Sequence, residues 1–169
     1  ATAQCLILDL RGNLGGTDIL GAQVALHLVP GAFKYFKLQT RFSPQLRAVR
    51  GFEQDPTNGW SAVSEWGPAR PSPVTAFPGF IFILQDALCF STTDNLLACL
   101  QDLLPGNRVR FIGRPSGGGT GAPRALAKLP WTGATLTLTV MKVFSPKGRL
   151  IEGRGTIPDR IIQWTWKDM

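Results

Sequence analysis

Histidine is nearly missing from this chain: one in 169 residues, alongside one tyrosine, three cysteines, and eleven acidic residues against eighteen basic ones. A lone histidine and cysteines without a Cys-x-x-Cys pair leave no ligand set for a metal and no disulfide framework. Cys5, Cys89 and Cys99 lie in or beside apolar segments and read as buried free thiols. No apolar run approaches the roughly eighteen residues of a membrane span. No signal peptide is visible either, because Ala1 stands only a few residues before an apolar strand. That abrupt start reads as a fragment whose upstream part is missing. Dense basic runs are also lacking: the net charge is +7, yet the arginines and lysines are scattered and not interleaved with aromatics. Scattered surface charge accounts for that balance, and a nucleic-acid partner is not indicated.

What is present is an apolar-rich globular composition, 44% hydrophobic with 17% charged. The length suits one domain, residues 1–169, able to bury its own core. Residues 17 to 28 read as a helix, with Ile19, Leu20, Val24, Leu26 and Leu28 apolar and Pro30-Gly31 stopping it. Phe33 to Phe42 alternates as a strand, and Phe80 to Leu84 reads as a buried one. Between them, residues 43–78 turn to Pro, Gly, Ser, Asn and Trp with little periodicity, which predicts a long irregular loop. Thr92 to Leu104 places Leu96, Leu100 and Leu103 on one helical face before Pro105-Gly106 ends it. Val109 to Ile112 reads as a strand, and Ala134 to Val143 as a long one rich in threonine and valine. Strands alternating with helices argue for an α/β architecture.

Two local patterns carry chemistry. The apolar run Leu6 to Leu10 breaks off in Arg11-Gly12-Asn13-Leu14-Gly15-Gly16, ahead of the first helix. Paired glycines let the chain turn sharply and leave N–H groups able to hold a developing negative charge; the plainer alternative is an ordinary strand-to-helix turn. Ser91 stands at the mouth of the second helix, where the dipole and free N–H groups favour an oxyanion. Spacing alone favours a simpler role for it: serine is a preferred N-cap, and Asp94 three residues on makes an acidic variant of the capping box. The glycine loop Gly117 to Gly121 puts Gly113, Gly118 and Thr120 at phosphate-loop spacing. The lysine is absent and Pro123 with strand-like sequence follows, so nucleotide binding is excluded.

Asp9-Leu10-Arg11-Gly12-Asn13-Leu14-Gly15-Gly16 resembles the signature of the C-terminal processing (tail-specific) serine proteases. Three further blocks resemble that family in the family's own order: Phe90-Ser91-Thr92-Thr93-Asp94 leading to Leu100-Gln101-Asp102, Ile112 to Gly118, and Phe144 to Arg149 running on to Gly155-Thr156-Ile157-Pro158-Asp159. Together they span Leu6 to Asp159, nearly the whole chain. The resemblance implies an α/β, ClpP/crotonase-like spiral of ββα units, a polypeptide substrate, no cofactor, and a periplasmic or extracellular setting. It makes Ser91 the nucleophile, with the N–H groups of Thr92 and of Gly15 or Gly16 as the oxyanion hole.

Serine needs an adjacent base. Where many members of the family carry a lysine in the glycine loop, this chain has Gly119, so the usual Ser-Lys dyad is excluded. Lysine-less members, such as the tricorn core protease and the chlamydial protease-like activity factor, use serine, histidine and glutamate. Their glutamate sits shortly before the Gly-x-x-Pro block, the place occupied here by Glu152, whose plainer reading is an exposed loop carboxylate. Their histidine comes from upstream of the Asp-Leu-Arg strand, so the resemblance implies that the missing N-terminal part supplies the base. His27 falls at the far end of the first helix and reads as a surface or satisfied residue. A non-catalytic ligand- or peptide-binding module on the same fold is the other reading, favoured by Thr92-Thr93 after the serine and by the absent lysine.

Overall fold

The computed structural model of the chain describes residues 3–50, 59–67, 75–121 and 123–163. In chain order its elements are β1 (Cys5–Asp9), α1 (Asp18–Leu26), β2 (Phe36–Phe42), α2 (Pro44–Arg50), β3 (Gly59–Trp60), β4 (Ser64–Trp66), β5 (Phe80–Gln85), α3 (Thr92–Leu103), β6 (Val109–Gly113), β7 (Arg124–Lys128), β8 (Thr135–Leu138), β9 (Met141–Phe144) and β10 (Arg160–Ile161). β1, β5, β6 and β10 form a parallel sheet in the order β1-β5-β6-β10. A second, antiparallel sheet gathers β3, β4 and β9 around β2, and β7 pairs with β8 as a separate hairpin. The architecture is α/β, as the alternation of strands and helices predicts.

The core forms where β5 meets the helices. Its β-branched Ile81 and Ile83 are fully buried, in one cluster with Leu97, Ala98, Cys99 and Leu100 of α3. Each fully buried leucine or isoleucine of this kind stabilises by roughly 1.5–3 kcal/mol. α1 contributes small residues, Gly21, Ala22 and Ala25, to its buried face. A Cβ added to Gly21 would come within 2.9 Å of the Thr92 methyl, so only glycine lets α1 approach the start of α3 this closely. α3 stops where expected: Leu104 turns extended, with ψ 135, because the residue before a proline is held out of the helical region.

Three expectations are corrected. Residues 43–78 are not an irregular loop throughout: α2, β3 and β4 lie within them, and both strands pair with β2. Residues 51–58 and 68–74 of that stretch lie outside the described residues. The long strand expected over 134–143 is two strands on different sheets, broken at Thr139-Val140, where Thr139 Oγ1 donates to the Gly121 carbonyl at 2.8 Å. Cys5 is exposed, on the sheet face that also leaves Ile7 65% accessible, while Cys89 and Cys99 are buried. Among the described residues no helix is long and apolar enough to cross a membrane.

Candidate active site

The glycine-rich turn after β1 is built by its own side chains. Asn13 Oδ1 accepts the Gly15 N–H at 3.0 Å, and the Asn13 carbonyl accepts the Phe90 N–H at 3.1 Å. Asp86, just past β5, accepts the Gly12 N–H at 3.1 Å and the Leu88 N–H at 2.9 Å. The approaches to Gly15 and to Ser91 are therefore tied together before either site residue is reached. Asp9 and Arg11 pair across the surface at 2.7 Å, and the guanidinium holds the Asp9 carboxyl down at about 2.

Ser91 stands at the N-cap position of α3, but its side chain does not cap the helix. It has φ 58 and ψ −123, its side chain makes no capping hydrogen bond, and it is the one non-glycine residue with positive φ among the described residues. Holding a side chain there costs about 1–3 kcal/mol, which the surroundings must offset. Two contacts do so. The Ser91 N–H donates to the Gly119 carbonyl at 2.5 Å. Gly15, itself at φ +102, packs so closely that a Cβ on it would lie 2.6 Å from Ser91 Cβ and 2.6 Å from the Phe90 carbonyl oxygen. Nor does Asp94 complete a capping box. Its fully buried carboxylate accepts the Gly119 N–H at 3.1 Å and the Ser116 hydroxyl, and so holds the glycine loop instead. Burial pushes the Asp94 carboxyl above its ordinary range; these hydrogen bonds oppose the shift and nearby Glu152 adds to it.

The oxyanion candidates separate. The Gly15 N–H is already spent on Asn13. The N–H groups of Gly16 and Thr92 have no acceptor among the described residues, and the two residues touch: Thr92 Oγ1 lies 3.1 Å from the Gly16 carbonyl oxygen. Beside them opens a cavity of about 220 Å³ walled by Leu8, Leu10, Leu20, Val24 and Leu96.

Glu152 is partly buried, in the turn after β9, and its Oε2 accepts the Thr120 N–H at 3.0 Å. It thus grips the residue next to Gly119, on whose carbonyl Ser91 hangs. Ser91, Gly15, Gly16 and Thr92 are brought together directly, whereas Glu152 reaches them through the glycine loop. His27 is exposed at the C-cap of α1, about 13 Å along the helix from the Asp18 end that touches Thr92. The glycines of the loop have a use that composition alone does not reveal. A Cβ on Gly117 or Gly119 would run into the Phe90 ring, which lies across the loop where a lysine would start. Sequence reading also passed over Asp18, Asn95 and Ser116, and weighed Thr120 only as part of a phosphate loop. They are ordinary polar residues whose partners lie 22 to 77 positions away, and only a polar Asn95 among the apolar positions of α3 gave a local sign.

The model of the family described as Peptidase family S41 matches residues 1–162 of this chain. No curated protein matches it in sequence. Among solved structures it is similar to mature CPAF complexed with lactacystin, with TM-score 0.76 and 18% identity over 98% of this chain and 41% of that one. A candidate peptidase from Parabacteroides merdae ATCC 43184 gives TM-score 0.75 and 20% identity over 98% and 47%. The photosystem II D1 C-terminal processing protease gives TM-score 0.62 and 19% identity over 95% and 35%. At these identities the likeness is one of fold, and the chain spans less than half the length of each.

Proposed function

The chain belongs to peptidase family S41, and from that premise we propose that it is the nucleophile-bearing part of a serine peptidase, with Ser91 as the attacking residue. The observation that carries this reading is the strained Ser91 backbone, held at a helix N-terminus against Gly15 with two uncommitted N–H groups alongside. Strain of this kind persists only where the surroundings enforce it, and it gathers at reacting groups. In the proposed reaction Ser91 Oγ attacks a peptide carbonyl, and the N–H groups of Thr92 and Gly16 hold the oxyanion. The proton passes to a histidine supplied by a segment preceding Ala1. Glu152 fixes that imidazole's tautomer and stabilises its charged form. The apolar cavity beside Gly16 receives an apolar side chain of the polypeptide.

The test is covalent. A fluorophosphonate probe should label the full-length protein on Ser91, and Ser91→Ala should lose both labelling and peptide cleavage. The isolated 169-residue chain should be nearly inactive, since removing the base typically costs several powers of ten in turnover. Robust cleavage by the isolated chain, abolished by Ser91→Ala, would place the base within these residues and refute the upstream histidine. A full-length protein that neither labels nor cleaves, yet binds peptide, would establish the non-catalytic binding module instead.

A further inference from the structure

We propose that Asn95 is a positioning residue that locks the Gly16 side of the site to the Glu152 side, a role that rests on Ser91 being the nucleophile. Asn95 is 3% exposed in the first turns of α3, where an apolar residue would pack without cost. Its backbone N–H donates to the Ser91 carbonyl at 3.1 Å. Its side chain makes one bond in each direction. Nδ2 donates to Asp18 Oδ1 at 2.9 Å, and Oδ1 accepts the Thr120 hydroxyl at 3.0 Å. The amide orientation follows from its neighbours, because the Asp18 carboxylate can only accept.

Each end of this amide continues into the site. Asp18 Oδ1 lies 3.1 Å from Thr92 Oγ1, which lies 3.1 Å from the Gly16 carbonyl oxygen, on the residue whose N–H is proposed to hold the oxyanion. Thr120 in turn donates its N–H to Glu152 at 3.0 Å. A polar path therefore runs Gly16, Thr92, Asp18, Asn95, Thr120, Glu152 and joins four separate segments of the chain, the single Thr92 hydroxyl proton being shared between the Gly16 carbonyl and Asp18. The amide at its centre donates to a carboxylate at one end and accepts from a hydroxyl at the other. A leucine does neither, and an aspartate would face Asp18 with a second negative charge. The path sets the spacing between oxyanion donors and the carboxylate that orients the base, a distance on which turnover depends steeply while ground-state binding does not.

The experiment exchanges the two partners in the full-length protein, reading kcat and KM on a peptide, fluorophosphonate labelling, and the thermal midpoint. Asp18→Asn and Asn95→Asp alone should each lower kcat roughly tenfold or more with KM within about twofold, at temperatures where both are folded. The double variant Asp18→Asn/Asn95→Asp re-forms the bond between positions 18 and 95 with donor and acceptor reversed. The amide nitrogen now at position 18 takes the place of the one oxygen that meets both neighbours, and its two protons serve the carboxylate at position 95 and Thr92 Oγ1, whose own proton is left for the Gly16 carbonyl; the carboxylate now at position 95 can still accept from Thr120. It should return kcat to within about threefold of wild type, a recovery that mere tolerance of substitution does not produce. If Asn95→Asp does not fold, Thr120→Val removes only the hydroxyl bond and keeps the N–H to Glu152; it should lower kcat several-fold at unchanged KM. Single variants with wild-type kcat, a double variant no better than the singles, or a silent Thr120→Val would each overturn the proposal while a dead Ser91→Ala kept the nucleophile in place. An active, labelled Ser91→Ala would remove the nucleophile and this role with it.

Discussion

Gly15→Ala tests the contact on which the site geometry rests. Gly15 sits at φ +102, a conformation that costs a side-chain-bearing residue about 1–3 kcal/mol. The added methyl would also stand 2.6 Å from Ser91 Cβ and 2.6 Å from the Phe90 carbonyl oxygen, both far inside contact distance. Neither neighbour can swing aside: one is a Cβ and the other is main chain, so relief requires the backbone at 90–91 to shift. Overpacking of that kind adds about 1–3 kcal/mol, for a total of roughly 2–6 kcal/mol. In a domain of this size each kcal/mol moves the unfolding midpoint by about 2–4 °C, so a fall of about 4–24 °C is expected. Gly16 is the control. A Cβ there meets nothing within 4 Å and its φ is not left-handed, so Gly16→Ala should leave the midpoint unchanged or raise it slightly through the unfolded chain. In the full-length protein, Gly15→Ala should also lower kcat at least a hundredfold if Ser91 is the nucleophile as proposed, because a displacement near 1 Å at the attacking atom is costly. The assays are thermal unfolding by circular dichroism and single-turnover cleavage of an activated ester. A Gly15→Ala protein matching Gly16→Ala in midpoint would refute the packing argument, whatever its activity.

Three other outcomes are expected. Glu152→Gln in the full-length protein keeps an oxygen for the Thr120 N–H and removes the charge, so kcat should fall roughly a hundredfold with KM little changed; unchanged kcat beside a dead Ser91→Ala would retire Glu152 as the orienting carboxylate. Asp94→Asn should alter how stability depends on pH. Burial raises the Asp94 carboxyl above 3.8, so the folded protein holds a proton that the unfolded chain releases, and wild-type stability falls as pH climbs from there toward the folded value. The Asn variant lacks that loss, so its midpoint relative to wild type should rise across the same window, and a gap independent of pH would refute burial as the cause. Gly119→Ala should destabilise because its methyl meets the Phe90 ring, and Gly119→Ala/Phe90→Ala should be more stable than Gly119→Ala alone; additive losses would show that the ring and the loop do not compete for space.

What could be read from the sequence was local. β5 announces itself because Phe80-Ile81-Phe82-Ile83 supplies β-formers over strand length, and α3 because its leucines recur at helical spacing up to a proline. α2 gave no such sign: Pro44-Gln45-Leu46-Arg47 holds a single buried apolar side chain, Leu46, with no period to detect. The break between β8 and β9 was equally silent, since β-formers run straight through Thr139-Val140. The strand divides because β9 is drawn to β2 while β8 turns back on β7. The same limit governs the site. Read locally, Ser91 and Asp94 make a helix cap. They become something else only once Gly15 and the glycine loop arrive from elsewhere in the chain and claim the Ser91 backbone and the Asp94 carboxylate.

Gly119 shows how an absence in sequence becomes a presence in structure. In the sequence it is only the place where a lysine is lacking. In the fold, Phe90 lies across Gly117 and Gly119 so tightly that neither position has room for a Cβ, let alone an ammonium-tipped side chain. The same loop then offers its Gly119 carbonyl to the Ser91 N–H and its Gly119 N–H to Asp94. The Phe90 ring takes the volume that a longer side chain at position 119 would need, and the loop's polar groups are committed to the Ser91 backbone and the Asp94 carboxylate. A lysine at position 119 would require the Phe90 ring to move from where it lies. On the proposed reading, a base for Ser91 approaches from a side that the glycine loop does not occupy, and Glu152, which accepts the Thr120 N–H at the loop's end, is the carboxylate proposed to meet it.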